Sequence, residues 1–357
     1  MALIADVAGS AIRVLDAGGA LVGSLPAFAH NAGDLVALYR GMVLTRTFDA
    51  KAIALQRTGR LGTYASSLGQ EAVAVGVAAA MQPADVLLPS FREHGAQLWR
   101  GVTLKELFLY WGGDERGNDF AGPKADFPNC VPVGSHAPHA VGVALAFRLR
   151  GEARAAVCVF GDGATSKGDV AEALNIAGVW KVPAVFVINN NGWAISVPRA
   201  KQSAARMLAQ KATAAGIPGE QVDGNDVVAV RAVVERALAR ARAGEGASLI
   251  EAVTYRLSDH TTADDASRYR DDAEVTPHWA AEPVARLRGY LVHAGLWDRR
   301  KEEALLLECR GEVERAAEEY LATEALPATA MFANVYAKLP VELIEQSETV
   351  SPYSGAA

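Results

Sequence analysis

Three short apolar runs, "AAVCVF" (155–160), "AVFVIN" (184–189) and "SLIEAVTYR" (248–256), alternate with segments of helical period, and this alternation constrains the fold most. Each run has the length of a strand. Between the first two, Val170, Leu174 and Ala177 recur at the spacing of one helix face. An amphipathic segment with Val227, Val230, Val234 and Leu238 on one face precedes the third. Strands that alternate with helices build an α/β fold, a mostly parallel sheet with helices on both faces. Such sheets bind ligands beyond the carboxyl ends of their strands, and residues 161–163 and 190–193 hold that position.

A chain of 357 residues has room for a large buried core. Half of the residues are hydrophobic and 21% are charged, the balance of a soluble globular protein. The formal charge of −6 argues against a nucleic-acid partner and gives no attraction to a membrane. No uncharged apolar run reaches about 18 residues, so no transmembrane helix is expected. The opening "MALIADVAGSAIRVLDAGG" has no basic segment before its apolar stretch and carries Asp6 inside it, which argues against a signal peptide. Cys130, Cys158 and Cys309 show no metal-binding spacing and read as reduced thiols, so a cytoplasmic location is expected. Residues 1–30, rich in Ala and Gly, read as an N-terminal arm, and the Gly-, Pro- and Asp-dense section 112–135 reads as a long functional loop.

The stretch "VFGDGATSKGDVAEALN" (159–175) sets an aspartate between two glycines where a strand gives way to a helix. A dinucleotide fingerprint would need a third glycine where Ser166 stands. A phosphate loop would need Lys and then Ser or Thr after Gly168, where Asp169 and Val170 follow. In the plainest reading Asp162 caps the helix. In the remaining one Asp162 binds a metal ion, and the metal binds a diphosphate. The next strand ends in "NNNGWAIS" (189–196). The Asp162 carboxylate, the Asn191 amide oxygen and the Trp193 main-chain carbonyl would then give Mg2+ three oxygens, with two diphosphate oxygens and a water completing the shell. A helix beginning near Ala164 would add its amino-terminal dipole. His136 and His139 lack further ligands and make no metal pair. His260, in "SDHTTADDASRYR", reads by itself as a solvated loop histidine.

The pair "GDG" (161–163) and "NN" (190–191), with 164–189 between them, closely resembles the thiamin diphosphate motif. Together with "GRLGTYASSLGQEA" (59–72), "LPSFREHGAQLWRG" (88–101), "AAGIPGEQVDGND" (214–226) and "YRLSDHTTADDASRYR" (255–270), in that order, the chain resembles the alpha subunits of the decarboxylating first component of 2-oxo acid dehydrogenase complexes. The resemblance runs from about Arg13 to Gln346. It implies the thiamin diphosphate-binding fold over 31–321, with 322–357 a C-terminal helical tail packed on a partner subunit.

The resemblance also implies roles. Phe91 and Arg92 match an aromatic–arginine pair at the cofactor, with Arg92 on the diphosphate. Val131 and Val133 match the loop that receives the aminopyrimidine. Gly161, Asp162, Gly163, Ala164, Asn191, Trp193 and Ile195 match the diphosphate and Mg2+ site. His260 matches a histidine that reaches the cofactor and helps bind substrate or steer protons. Asp169 and Glu172 match acids of a proton tunnel between two active sites, and otherwise are acids favoured by a helix amino terminus. Tyr64, Arg268, Tyr269 and Arg270 match the substrate channel or the loop that meets the lipoyl group. Lys167 departs from the pattern, standing where many relatives have Gln or Glu.

The activity implied is oxidative decarboxylation of a 2-oxo acid with reductive acylation of lipoamide on an acyltransferase component. Pyruvate is the first expectation, ahead of branched-chain 2-oxo acids and acetoin. The acid that activates thiamin diphosphate lies on a separate beta subunit in this family, so the expected assembly is an α2β2 heterotetramer. A nicotinamide-dependent reductase would explain the α/β pattern without a glycine fingerprint. A non-catalytic scaffold would leave Asp162, Asn191 and His260 without a purpose.

Overall fold

The computed structural model describes residues 11–333 and 335–353. Seven strands occur among them: β1 (Val86–Leu88), β2 (Ala156–Gly161), β3 (Ala184–Asn190), β4 (Trp193–Ala194), β5 (Val197–Pro198), β6 (Gly219–Asp223) and β7 (Ser248–Val253). Five form one sheet in the order β1-β2-β3-β7-β6, with every neighbouring pair parallel. β4 and β5 make a small antiparallel hairpin just beyond β3. The fold is the α/β architecture expected from the sequence, and the sheet is wholly parallel. Two of its strands, β1 and β6, are too short or too polar to show as apolar runs.

Side chains alternate across the sheet, and both faces are apolar because both are covered. Val157, Val159, Val185 and Val187 point into one core, shared with the helices Ala32–Arg57, Glu71–Ala80 and Val227–Arg242. Cys158, Phe160, Phe186 and Ile188 point into the other, under the helices His136–Arg150 and Gly168–Trp180. Each such side chain stabilises the fold by about 2 kcal/mol relative to exposure. Cys158 and Cys309 are buried and Cys130 half-buried, all as free thiols. No helix among the described residues is long and apolar enough to cross a membrane.

Residues 1–10 of the expected arm lie outside the described residues, but from residue 11 onward the chain is docked. Ile12 bridges Val222 in parallel, extending the sheet past β6, and Val14 and Leu15 are buried in the core. Asp226 explains the docking. Its carboxylate caps the helix Val227–Arg242 through the main-chain N–H groups of Val228 and Ala229, and accepts those of Val14 and Leu15 at 2.7 and 2.6 Å. The helix after β2 starts later than expected. A 3-10 turn, Asp162–Ser166, follows the strand, and the α-helix begins at Gly168. Residues 112–135 form the expected long loop, broken only by the 3-10 turn Glu115–Asn118. It is tied to β1 by the Leu87 N–H on Asp126 and the Phe127 N–H on the Leu87 carbonyl, both at 2.9 Å.

Candidate active site

β2, β3 and β7 end side by side, at Gly161, Asn190 and Val253, and the turns leaving β2 and β3 open onto a cavity of about 410 Å³. Phe91, Arg92, Val131, Val133, Gly161, Asp162, Gly163, Ala164, Asn191, Trp193, Ile195 and His260 all line it. They come from five separate segments. The Asp126 anchor carries Val131 and Val133 there, and the parallel register brings Gly161 beside Asn189. Gly163 is required by close approach, because a Cβ there would stand 2.6 Å from that of Ala194. At Gly161 a Cβ would meet nothing within 4 Å, so the main chain is open toward the cavity.

Asp162 is only 2% exposed. Among the described residues its one side-chain hydrogen-bond partner is the neutral amide of Gln202, whose Nε2 donates to Oδ2 at 3.0 Å. Burial pushes its carboxyl above the usual range, partly offset by hydrogen bonds from Gln202 and nearby main-chain N–H groups. Asn191 has a fixed orientation. Its Nδ2 donates to Gln70 Oε1 at 2.9 Å, so its Oδ1 is identified, and that oxygen accepts the Trp193 N–H at 3.1 Å. Among the described residues no three His, Cys, Asp or Glu cluster as a self-sufficient metal site. The donors instead suit Mg2+, which takes few protein oxygens and fills its shell from phosphate and water. A buried carboxylate with no salt-bridge partner among the described residues fits such a cation, because an unpaired buried charge is costly.

Another part of the lining is cationic. Arg92 is buried, with its guanidinium bonded to the Ser66 carbonyl and, through one nitrogen, to the His260 carbonyl at 2.9 Å. Burial and the neighbouring Arg256 lower its pKa to about 10. The Phe91 ring meets the His260 ring edge-on at 5.9 Å between centroids. Burial first, then Arg92 and Arg256, lowers the His260 pKa to about 4. The imidazole is therefore neutral at ordinary pH.

Other sequence candidates fall outside the cavity lining. Tyr64 is fully buried, stacked on His94 and bonded through its hydroxyl to Asp49. It belongs to the hub that holds Ser66, whose carbonyl receives Arg92. Arg268 is exposed and pairs with Asp265, at 3.5 Å. Tyr269 packs against Trp193, and Arg270 braces the loop through the carbonyls of Arg256 and Ser258. Asp169 is half-exposed, with Lys167 at 3.0 Å and Ser135 at 3.3 Å, and Glu172 is exposed on the same helix. Lys167 also donates to Ser135 at 2.9 Å, so this departure from the family pattern fastens the loop carrying Val133 to the amino end of that helix. His136 is buried against the Val159 carbonyl at 2.8 Å. Sequence reasoning missed Gln70, Ser90, Glu93, Asn189 and Ala194 in the lining, and Arg256 behind it. Gln70 and Arg256 lie inside quoted motifs, but nothing local marks them as buried.

The family described as "Dehydrogenase E1 component" matches residues 39–328. The chain belongs to this dehydrogenase E1 component family. A 3-methyl-2-oxobutanoate dehydrogenase subunit alpha from Mycobacterium tuberculosis is 43% identical over 311 residues, 87% of this chain and 85% of the relative. A pyruvate dehydrogenase E1 component subunit alpha from Staphylococcus aureus is 42% identical over 316 residues, 88% of this chain and 85% of the relative. The resemblance to E1 alpha subunits expected from the motifs is thus established, and the E1 sheet is that of the thiamin diphosphate-binding fold. Both relatives are 2-oxo acid dehydrogenase subunits but differ in their acid, so membership of the E1 family leaves the substrate open.

Proposed function

We propose that this chain is the alpha subunit of a 2-oxo acid dehydrogenase first component, binding thiamin diphosphate and Mg2+ in the cavity beyond β2 and β3. The observation that carries the reading is that one cavity is lined by a buried Asp162 bonded by a neutral amide, an oriented Asn191, and the cationic Arg92 bonded to His260. Asp162, Asn191 and the Trp193 carbonyl hold Mg2+. Arg92 and the open main chain at Gly161 meet the diphosphate, and Val131 and Val133 border the ring system. Thiamin diphosphate, when bound, supplies the carbanion and electron-sink chemistry that releases CO2 from a 2-oxo acid. The chain's own residues bind and orient it.

The activating acid and the remainder of the site come from a beta subunit in an α2β2 assembly. Val131 and Ile195, exposed by 59% and 57%, stand at the cavity as apolar surface for a partner to cover. The C-terminal helix Val341–Val350 has no buried residue and exposes Val341 and Ile344, which suits the tail to the same partner. The lipoyl group of an acyltransferase component accepts the acyl group, and Asp169 and Glu172 serve a proton path. Pyruvate is the substrate assigned first. The Mycobacterium tuberculosis relative favours 3-methyl-2-oxobutanoate as the second reading.

Co-expression with the beta subunit, followed by decarboxylation assays on a panel of 2-oxo acids, tests this. Turnover highest with pyruvate is expected, and a preference for branched acids selects the second reading. Failure to bind magnesium thiamin diphosphate, or binding of NAD in its place, overturns the proposal.

A further inference from the structure

Arg256 is a fully buried arginine that the proposed cofactor chemistry does not use. One of its terminal nitrogens lies 3.3 Å from His260 Nδ1. The other donates to the Ile195 carbonyl at 2.9 Å and the Tyr269 hydroxyl at 2.8 Å. Arg92 approaches the same His260 Nδ1 at 3.2 Å. Both guanidiniums are donors only, so the Nδ1 they share has to be the unprotonated nitrogen. The ring proton is left on Nε2, which bonds no described residue although His260 lines the cavity.

Asp264 is the acid facing this group. Its carboxylate is taken by the His260 main-chain N–H at 2.9 Å and by the Tyr269 hydroxyl, and does not bond the imidazole. Ile195 adds a second reason for a guanidinium at this place. It is β-branched and has a φ of 54°, a conformation strained for such a residue, and its carbonyl is secured by Arg256.

We propose that Arg256 is a positioning residue that, with Arg92, locks His260 as the neutral Nε2–H tautomer and makes it a fixed hydrogen-bond donor to an anionic oxygen in the cavity. The identity of that oxygen, phosphate or substrate carboxylate, rests on the functional reading above; the tautomer does not. His260 then orients a ligand and does not shuttle protons through Nδ1. The depressed affinity of the ring for a proton agrees with this, since a cationic imidazole would face two guanidiniums.

Nitrogen NMR on the full chain labelled at its seven histidines tests the tautomer, with His260 signals assigned by their loss in His260→Gln. A neutral Nε2–H pattern without titration between about pH 5 and 8 is expected. An Nδ1–H pattern, or titration near the ordinary 6.5, overturns the proposal. Arg256→Lys keeps the charge but not the fork, so the Nδ1–H form should appear in the folded variant. An unchanged tautomer there removes Arg256 from the role. If that variant does not fold, calorimetry with magnesium thiamin diphosphate decides. The Gln amide nitrogen stands near the position of Nε2, and that of Asn near Nδ1. His260→Gln should keep near-native affinity while His260→Asn loses about tenfold, the worth of one charge-assisted hydrogen bond. Equal losses overturn the donor role. Failure of the unaltered chain to bind the cofactor would instead count against the functional reading and leave the NMR result standing.

Discussion

Asp162 is costly to the protein without a ligand. Its carboxyl is buried, bonded by a neutral amide, and its pKa is raised by burial above the ordinary 3.8. A carboxyl whose folded pKa is raised stabilises least when ionised. Below pH 3.8 both states are protonated and nothing is lost; as pH rises past that value the unfolded chain ionises first and stability falls. In the cofactor-free chain Asp162→Asn should therefore match or exceed the parent at pH 7, by about 1 kcal/mol, with the gap closing toward pH 3.8. Urea melts across pH measure this. The same variant should lose affinity for magnesium thiamin diphosphate by about a hundredfold in calorimetry, because a charged metal ligand is gone. A variant that is less stable yet binds normally would make Asp162 a structural cap.

At the scale of elements, one carboxylate and a loop decide how the site is carried. Asp226 satisfies four main-chain N–H groups, two at the start of the helix Val227–Arg242 and two on the incoming N-terminal segment. Asp226→Asn keeps one acceptor oxygen and turns an NH2 group toward donors. It should cost about 2 kcal/mol in urea and make residues 11–22 newly susceptible to protease. The loop after β7 is held by the Thr262 N–H on the Tyr64 carbonyl at 2.8 Å, the Ala266 N–H on Asp259 at 3.0 Å and the buried Arg270, together with the bonds from Arg92 and Arg256 to His260 and Tyr269. Nearly all these bonds are polar and sit over little apolar contact, which places the loop at the low end of local stability. Hydrogen exchange over 258–270 should slow when magnesium thiamin diphosphate is added, in the manner of an active-site lid. Equal exchange with and without it would show that the loop is already at its final order.

At the scale of the whole molecule, the proposed beta subunit would complete the cavity. Apolar Val131 and Ile195 face outward at it, and the C-terminal helix lies on the surface with no side chain in the core. Isolated protein should show negligible decarboxylation of any 2-oxo acid, and adding the beta subunit should restore turnover and reduce the exchange of residues 341–350. Full turnover by the purified alpha chain alone would sink the divided site.

The sequence by itself determined the layered architecture and much, but not all, of the lining of the cavity. Apolar periods reveal which stretches must be covered on one face or both, and the turns that end such strands are where a parallel sheet binds. Those features are local, so Asp162, Asn191 and the loop carrying Val133 could be named in advance. Only the tertiary structure decided what stands behind them. β1 and β6 are strands because neighbours supply their hydrogen bonds, and the segment after residue 11 docks because Asp226 has donors to share. Tyr64 is buried in the core, with its hydroxyl on Asp49. Arg256 looks like any surface arginine in a string of letters. It is buried because three acceptors from separate turns meet around one guanidinium, and a convergence of that kind has no local signature.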